Sequence, residues 1–374
     1  MRARCRREGL LSACQLASAA LPAREVKPIL RNLKAVAGDG RCTLMGTDLE
    51  VGIRLDVQGL TIEEPGEAIL PAQRLIAILR EANDEELTIE ADQNACVVRG
   101  PTLEFEMPGE DPAQFPEWPT FTDEKYHEIS AGTLREMIRR TLFAVADETG
   151  RYSMTGVLWD LDGETARLVG SDGYRLALAQ GTATSQGDHT TKGQAPVVPT
   201  KAMSLLERNL QDDPDETVKI CIRPNDVLFR TGRAVLYSRL VEGRYPDYRQ
   251  IFPKKSAVKV TVAASPLLIA VKQAAVMVDN ETKRVAFRFA KHKLTLEAQG
   301  PTTGRSKVEL AVGYEGKAID IGFNPQYLIE MLKVVPPDSE LTLDLIDAET
   351  PVLIHCGADY SYLVVPISLK AAPG

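Results

Sequence analysis

The sequence has no long apolar run, since no segment approaches the roughly 20 apolar residues that a helix needs to span a bilayer. Association with a membrane is therefore not expected. The six cysteines lie far apart without a CxxC pair, which in a chain of this size indicates reduced, buried thiols and a cytoplasmic protein. The four histidines are equally scattered, so neither a zinc site nor any other cofactor is indicated.

Common catalytic motifs are also absent. The sequence has no GxxxxGK[ST] phosphate loop, no GxSxG nucleophile elbow and no HExxH helix. Asp48 and Asp172 follow similar hydroxyl residues and could be interpreted as paired catalytic carboxylates. Neither has a histidine or a nucleophile nearby in the sequence, so a structural role in two turns is favoured. An enzyme remains the alternative.

Acidic residues outnumber basic residues in the chain. The formal net charge is −8 and the isoelectric point is about 5.3. Because phosphate binding depends on lysine and arginine, this balance alone argues against nucleic acid as a partner.

An internal repeat is the strongest feature that the sequence does contain. A proline followed by apolar residues at helical spacing recurs at Pro71, Pro199 and Pro325, at intervals of 128 and 126 residues. Proline suits the first position of a helix, where its missing N–H would have no partner. The alternating runs 87–91, 218–222 and 341–345 follow at similar distances and predict half-buried strands. The sequence thus predicts three copies of one module.

Each module is expected to be an α+β domain with two helices and several antiparallel strands. The predicted domains are residues 1–127, 128–255 and 256–374. The predicted helices span residues 9–21, 71–82, 131–146, 199–210, 265–278 and 324–335.

Charge is segregated between these helices and the rest of the chain. The six helices carry nine basic and four acidic residues, a net +5, which leaves −13 elsewhere. If the helices share one face, they form a positive stripe inside an acidic shell. The alternative explanation of this excess is that arginine and lysine have high helix propensity and are common on helix surfaces.

The most specific short motif is Ser171-Asp172-Gly173-Tyr174-Arg175-Leu176-Ala177, which predicts a turn between two strands. At this point the chain resembles the bacterial sliding clamps, the β subunits of DNA polymerase III, in which the turn reads Thr-Asp-Gly-His-Arg-Leu-Ala. Further matches include Gly46-Thr47-Asp48-Leu49-Glu50, Phe115-Pro116, the segment 241–248, Gly322-Phe323-Asn324 and the segment 362–367.

The resemblance implies a ring without chemistry of its own. Two subunits would associate head to tail, with helices inward and sheets outward, and encircle duplex DNA without reading its sequence. The ring would tether the catalytic subunit of the replicative polymerase, the clamp loader and other proteins with clamp-binding linear motifs, and so confer processivity. A repeat scaffold that binds proteins without DNA is a further alternative, and a paralogue of the replicative clamp is also possible.

The resemblance also implies three sets of site residues. The protein-binding pocket would comprise Met154, Ser171, Gly173, Tyr174, Arg175, Leu176, Pro246, Ile251, Leu363, Val365, Pro366 and Ile367, with Arg175 fixing a peptide carbonyl or carboxylate. The DNA-facing residues that the resemblance implies would be Arg24 and Lys201, and the charge segregation adds the helix residues Arg74, Arg80, Arg135, Arg139 and Lys272. The dimer interface would contain Phe105, Met277 and Val278.

Several pocket positions depart from the family pattern. Tyr174 replaces the usual histidine and Ser171 the usual threonine, while Val365 and Ser368 stand where methionine and a basic residue are common. These departures affect the motif preference expected of the pocket.

Overall fold

The chain folds into three consecutive α+β repeats, as the sequence predicts. The computed structural model describes residues 1–24, 27–122, 124–147, 153–211, 213–253, 257–279, 283–300 and 304–369. The predicted boundary at 127/128 falls inside a strand of the second repeat, and that at 255/256 lies outside the described residues. The domain limits therefore stay predictions.

The order of elements is the same in the first two repeats, and the third has one strand fewer between its two helices. The first contains β1 (Arg2–Arg6), α1 (Arg7–Ser18), β2 (Leu33–Gly38), β3 (Arg41–Thr47), β4 (Val51–Asp56), β5 (Leu60–Glu64), β6 (Gly66–Leu70), α2 (Ala72–Glu81), β7 (Glu86–Ala91), β8 (Ala95–Arg99) and β9 (Glu104–Pro108). The second contains β10 (Tyr126–Ser130), α3 (Ala131–Leu142), β11 (Gly156–Asp162), β12 (Thr165–Ser171), β13 (Arg175–Thr182), β14 (Thr184–Gln186), β15 (Val197–Pro199), α4 (Thr200–Asn209), β16 (Thr217–Ile222), β17 (Asp226–Arg230) and β18 (Ala234–Arg239). The third contains β19 (Val258–Ala263), α5 (Ala264–Ala275), β20 (Val285–Ala290), β21 (Lys293–Gly300), β22 (Gly304–Ala311), β23 (Ile319–Phe323), α6 (Pro325–Val334), β24 (Glu340–Leu345), β25 (Val352–Cys356) and β26 (Tyr360–Val364).

The recurring prolines do not all occupy the predicted helix position. Pro71 and Pro199 are the N-cap residues of α2 and α4, one position before the first helical residue. Only Pro325 is the first residue of its helix, and there Asn324 is the cap, its side chain accepting a hydrogen bond from the Gln326 N–H at 3.0 Å. Asn324 is thus the structural counterpart of Pro71 and Pro199.

The six helices form one row on one side of the sheets. Within each repeat the two helices pack together, and across the repeats α1 contacts α4 and α3 contacts α6. The order along the row is therefore α2-α1-α4-α3-α6-α5. Buried leucines such as Leu75, Leu134 and Leu267 anchor the helices in a core shared by the three repeats. We call the opposite side of the sheets the outer face.

Sheets continue from one repeat into the next. Strand β4 of the first repeat pairs antiparallel with β18 of the second, and β13 of the second pairs with β26 of the third. The strand orders are β5-β1-β7-β8-β9, β14-β10-β16-β17-β18-β4-β3-β2-β6, β15-β11-β12-β13-β26-β25-β24-β19 and β22-β21-β20-β23. Backbone pairing thus joins the repeats, and β9 and β22 remain at sheet edges.

Two histidines that are far apart in the sequence meet in the second repeat. The Nδ1 atoms of His127 and His189 are 2.7 Å apart, and both side chains are buried. Nε2 of His189 lies 3.1 Å from the Ile222 N–H and 3.2 Å from the Ile222 carbonyl. Nε2 of His127 donates to the Gly163 carbonyl at 3.1 Å. The short contact between the two Nδ1 atoms holds only one hydrogen, so at least one of the two rings is neutral.

This pair should make the folded chain less stable in acid. Burial lowers the pKa of both histidines, and for His127 the neighbouring His189 lowers the pKa further, against an opposing effect of Asp162. The unfolded chain therefore takes up protons near the ordinary pKa of 6.5 that the folded pair does not. We expect the free energy of unfolding to fall below pH 6.5.

Urea unfolding at pH 7.5 and pH 5.5 measures this effect. Carboxylates also lose stabilising contacts in acid, so the informative quantity is the difference between wild type and a His127→Phe/His189→Leu variant. The exposed His292 offers a control, because His292→Asn should retain the full pH dependence. An unchanged pH dependence without the buried pair would contradict the account.

Candidate functional site

The turn between β12 and β13 presents Tyr174 to solvent. The Asp172 carboxylate accepts hydrogen bonds from the N–H groups of Tyr174 and Arg175 at 2.9 and 3.0 Å. Gly173 has φ +90°, a conformation that favours glycine. The side chain of Tyr174 is 64% exposed at the tip of the turn.

The equivalent turn in the first repeat has the same hydrogen bonds. The Asp48 carboxylate accepts from the N–H groups of Glu50 and Val51 at 3.0 and 2.7 Å, and Leu49 has φ +81°. Asp48 and Asp172 are thus both structural turn residues, as the sequence favours. This geometry accounts for both carboxylates without catalysis.

The eight-stranded sheet carries an apolar area on its outer face, across the junction of the second and third repeats. Leu176 of β13 lies directly opposite Leu363 of β26, and Leu363 lies opposite Leu353 of β25. These residues belong to a buried cluster separate from the main core, which contains Leu158, Val169, Leu176, Val197, Tyr245, Tyr248, Leu353 and Leu363. Pairing between repeats therefore brings the predicted pocket residues Leu176 and Leu363 together.

The connection between the repeats forms one wall of this area. The Tyr245 hydroxyl donates to the Val169 carbonyl at 3.3 Å, and the Tyr248 hydroxyl donates to Asp160 at 2.6 Å. Burial raises the pKa of both phenols, so both stay protonated donors. Pro246 lies between the two tyrosines, and Ile251 is 40% exposed.

The C-terminal segment forms the opposite wall. The Val365 N–H donates to the Tyr174 carbonyl at 2.9 Å, and the Ile367 N–H donates to the Gly322 carbonyl at 2.7 Å. A Cβ atom on Gly322 would lie 2.3 Å from the Ile367 oxygen, so glycine is needed for this approach. Val365, Pro366 and Ile367 are half-buried beside the turn that holds Tyr174.

We call this surface the groove and define it by its predicted residues, without Arg175. Its predicted lining comprises Met154, Ser171, Gly173, Tyr174, Leu176, Pro246, Ile251, Leu363, Val365, Pro366 and Ile367. Sequence reasoning missed Tyr245 and Tyr248, although both belong to the matched segment 241–248. It also missed Leu158, Val169 and Leu353, whose outward direction depends on strand register.

Arg175 is engaged within the chain, and its predicted contact with a peptide stays a prediction. Its guanidinium is buried and bonded within the chain, to Asp172 at 2.9 Å, to the Phe143 carbonyl at 2.9 Å and to Glu330 of α6. It also stacks near the ring of Tyr327, 4.5 Å from the centroid. Arg175 therefore joins the second and third repeats beneath the groove.

The corresponding area between the first and second repeats is filled by the chain itself. Gly52 stands opposite Tyr237 there, in the place that Leu176 and Leu363 occupy at the second junction. A Cβ atom on Gly52 would lie 2.9 Å from the Trp118 ring, so the indole covers this position. Arg54 holds Trp118, with its guanidinium 5.0 Å from the ring centroid.

Two of the predicted DNA-facing residues are engaged within the protein, and their contact with DNA stays a prediction. The Lys201 ammonium donates to the Ala20 and Leu21 carbonyls at 2.9 and 2.8 Å and to Asp48 at 2.6 Å. These three bonds use its three hydrogens and join the first two repeats. Arg135 donates to the Leu210 and Gln211 carbonyls, both at 2.6 Å.

The other predicted basic residues are exposed. Arg139 is solvent-exposed although it pairs with Glu207 at 2.7 Å. Arg24, Arg74, Arg80 and Lys272 are exposed, and within the described ranges no carboxylate pairs with Arg74, Arg80 or Lys272.

The predicted interface residues lie on or beside the edge strands β9 and β22. Phe105 of β9 is 44% exposed on the helical side of its sheet. Met277 and Val278 follow α5 and are partly buried, and the Met277 sulfur lies beside Gly304 at the start of β22.

Comparison with known families decides what these repeats are. Three family models match residues 1–119, 128–247 and 249–368, described as the N-terminal, central and C-terminal domains of the DNA polymerase III beta subunit. The chain belongs to the DNA polymerase III beta subunit family. This confirms the resemblance found in the sequence.

The relatives are beta sliding clamps. That of Pseudomonas putida is 30% identical over 366 residues, 97% of this chain and 98% of the relative, and that of Escherichia coli K12 is 29% identical over 367 residues, with the same coverage. The solved structure of a Pseudomonas aeruginosa DNA polymerase III subunit beta bound to griselimycin has a TM-score of 0.91 at 27% identity, and the Bacillus subtilis sliding clamp has 0.91 at 25%. Each comparison covers 99% of this chain and all of the other.

The clamp is thus a processivity factor of DNA replication and not an enzyme. Within the described residues, no helix is long and apolar enough to cross a membrane. The same residues contain no group of three or more histidine, cysteine or acidic side chains that could hold a metal ion.

Proposed function

We propose that two copies of this clamp close head to tail into a ring that encircles duplex DNA in the cytoplasm, and that the groove tethers its partners. The partners are the replicative polymerase, the clamp loader and other proteins with short linear motifs. The observation that carries the proposal is the strand pairing between repeats, because the same rule extends to a second copy.

The pairing rule is identical at both junctions within the chain. Strands β2–β4, β11–β13 and β20–β22 are equivalent triplets, as are β7–β9, β16–β18 and β24–β26. The first triplet of each repeat ends at β4, β13 or β22, and the second ends at β9, β18 or β26. The strand that ends the first triplet of one repeat pairs with the strand that ends the second triplet of the next repeat. In this way β4 pairs with β18 and β13 pairs with β26. By the same rule, β22 of one copy would pair with β9 of a second copy. Head-to-tail contacts of this kind give a ring when they close.

The register of this contact follows from the internal pairs. Val51 lies opposite Ser238 and Arg175 lies opposite Val364. In β22, Gly304 occupies the position equivalent to Val51 and Arg175. In β9, Met107 occupies the position equivalent to Ser238 and Val364. Extending the pairing from these residues places Arg305 opposite Glu106, Ser306 opposite Phe105 and Lys307 opposite Glu104 of the second copy.

Charge and burial both favour this register. The Arg305–Glu106 and Lys307–Glu104 pairs have opposite charges and lie on the outer face, where each contributes roughly 0.2–1 kcal/mol. Phe105 would lie on the helical side near Met277 and Val278, where burying it contributes about 2 kcal/mol per interface.

Charge reversal with rescue tests the register. Glu104→Lys/Glu106→Lys should weaken the dimer by placing like charges opposite each other. Adding Arg305→Glu/Lys307→Glu to the same chain should restore the dimer at both interfaces, as judged by sedimentation velocity at low salt. As a control, Lys291→Glu/Lys293→Glu at the turn before β21 should restore nothing. If the rescue pair also fails, the register is wrong.

The row of helices is proposed to face the DNA. Arg74, Arg80 and Lys272 lie exposed on α2 and α5 and have no carboxylate partner among the described residues, which suits contacts with phosphates. An acidic protein with few such contacts binds DNA weakly at physiological salt. Retention of the clamp on DNA therefore depends on the closed ring around the duplex more than on direct contacts with phosphates.

The groove is proposed to hold one linear motif per chain. At the first junction Trp118 covers the equivalent position, and at the junction between copies Arg305 and Glu106 would occupy it. Leucines fill it only at the second junction, where apolar peptide side chains can be buried. Micromolar affinity, about 8 kcal/mol, is expected of so small a contact, and the ring then raises the polymerase's local concentration on DNA.

A further inference from the structure

The outer face that carries the groove continues into a polar area in the third repeat. Leu178 lies opposite Ser361, which lies opposite His355 on β25. In the neighbouring row, Leu353 lies opposite Asp344, which lies opposite Lys259 on β19. We call Lys259, Asp344, His355 and Ser361 the polar extension.

The four side chains of the polar extension form a chain of contacts. Nδ1 of His355 is 3.0 Å from the Ser361 hydroxyl, and its Nε2 is 3.5 Å from Asp344. The Lys259 ammonium lies 3.7 Å from the other Asp344 oxygen, which is buried and has no hydrogen-bond partner among the described residues. Asp344 thus lies close to the nitrogen atoms of both His355 and Lys259 without a short hydrogen bond to either.

Exposure decides which groups of the polar extension meet a ligand. The side chains of Lys259 and His355 are 66% and 35% exposed, whereas that of Asp344 is 14% exposed. The carboxylate therefore lies beneath the two nitrogen groups, and the surface presents donors. An acceptor with negative charge is the complementary ligand.

We infer that the polar extension binds a carboxylate side chain that follows the apolar anchors of a partner's linear motif. The inference rests on the proposed function of the groove, because it places the same peptide on the same sheet face. Three strand spacings, about 14 Å, separate Leu363 from Lys259. An extended peptide covers this distance in about four residues.

Two donor groups at the surface set the strength of the contact. The groups that face His355 are Asp344 and Thr342 on β24 and Ser361 on β26, with Lys259 beyond Asp344 on β19. With two exposed ion pairs, an acidic peptide should bind about threefold to tenfold more tightly than a neutral one.

Two labelled peptides test the inference by fluorescence anisotropy at low salt. Both contain the same apolar motif, followed at the third to fifth positions by three aspartates in one peptide and three asparagines in the other. The wild-type dimer should prefer the aspartate peptide. Lys259→Gln/His355→Gln should remove the preference while leaving the affinity for the asparagine peptide unchanged. Lys293→Gln, an exposed lysine on another sheet, should leave the preference intact.

The outcomes separate the polar extension from the groove. Equal affinity of the wild type for both peptides would overturn the extension and leave the groove in place. A preference that survives in the double variant would also overturn it, because the charge would then be recognised elsewhere. Failure of both peptides to bind would overturn the groove, and the extension with it.

Discussion

Phe105→Asp should convert the clamp into a folded monomer. The phenyl ring is 44% exposed on edge strand β9, and the proposed ring buries it twice, once at each interface. Losing about 2 kcal/mol at each of two interfaces corresponds to an approximately thousandfold weaker dimer. Sedimentation equilibrium between nanomolar and micromolar protein measures the change.

A matched substitution separates interface loss from general damage. Leu49 is 38% exposed in the turn before β4, far from β9 in the sheet order, so Leu49→Asp should leave the dimer intact. Circular dichroism and thermal unfolding should show that both variants are folded. A Phe105→Asp protein that stays dimeric at nanomolar concentration would place the interface elsewhere.

Removing the chain from Val365 onward should abolish peptide binding and leave the dimer unchanged. The truncation ends after β26, so the pairing of β26 with β13 and β25 is retained. It removes the wall formed by Val365, Pro366 and Ile367, and with it most of the surface that would bury apolar side chains of a peptide. We expect at least a hundredfold loss of affinity, about 3 kcal/mol, in a titration with a labelled motif peptide.

The control for this truncation removes residues 370–374 only. That chain keeps the bond from Ile367 to Gly322 and should bind peptide like the wild type. A truncation at Val365 with undiminished affinity would show that the groove is not where the peptide binds. Loss of the dimer in the same variant would instead indicate damage to the third repeat.

Repeats and periodicity made much of the fold predictable. The helical spacing of apolar residues located all six helices, with errors of a few residues at the ends. The strand runs at 87–91, 218–222 and 341–345 all lie within β7, β16 and β24. These signals are local, because a helix or strand must present one apolar face to the core.

Contacts between distant residues were not predictable in the same way. Lys201 and Arg175 were assigned binding roles from the resemblance, and nothing local in the sequence shows their partners within the chain. The fold places Asp48 beside the first and Glu330 beside the second, and so turns both into links between repeats. The histidine pair was missed for the same reason, since His127 and His189 are 62 residues apart.

Strand register between repeats determined the rest of the site. The sequence located Leu176 and Leu363 only through resemblance, and nothing local shows that they lie opposite each other. The pairing also shows why the three junctions differ. The same position is covered by Trp118 at the first, occupied by Leu176 and Leu363 at the second and predicted to be charged between copies.

Retention on DNA of defined topology tests encirclement most directly. Clamp loaded onto nicked circular DNA by its loader is separated from free protein by gel filtration, and the circle is then cut once with a restriction enzyme. We expect the clamp to stay on the intact circle at physiological salt and to leave the linear product within seconds, and blocking both ends of the linear DNA should restore retention. Equal retention on open linear DNA would show that the clamp is held by contact and would contradict the ring.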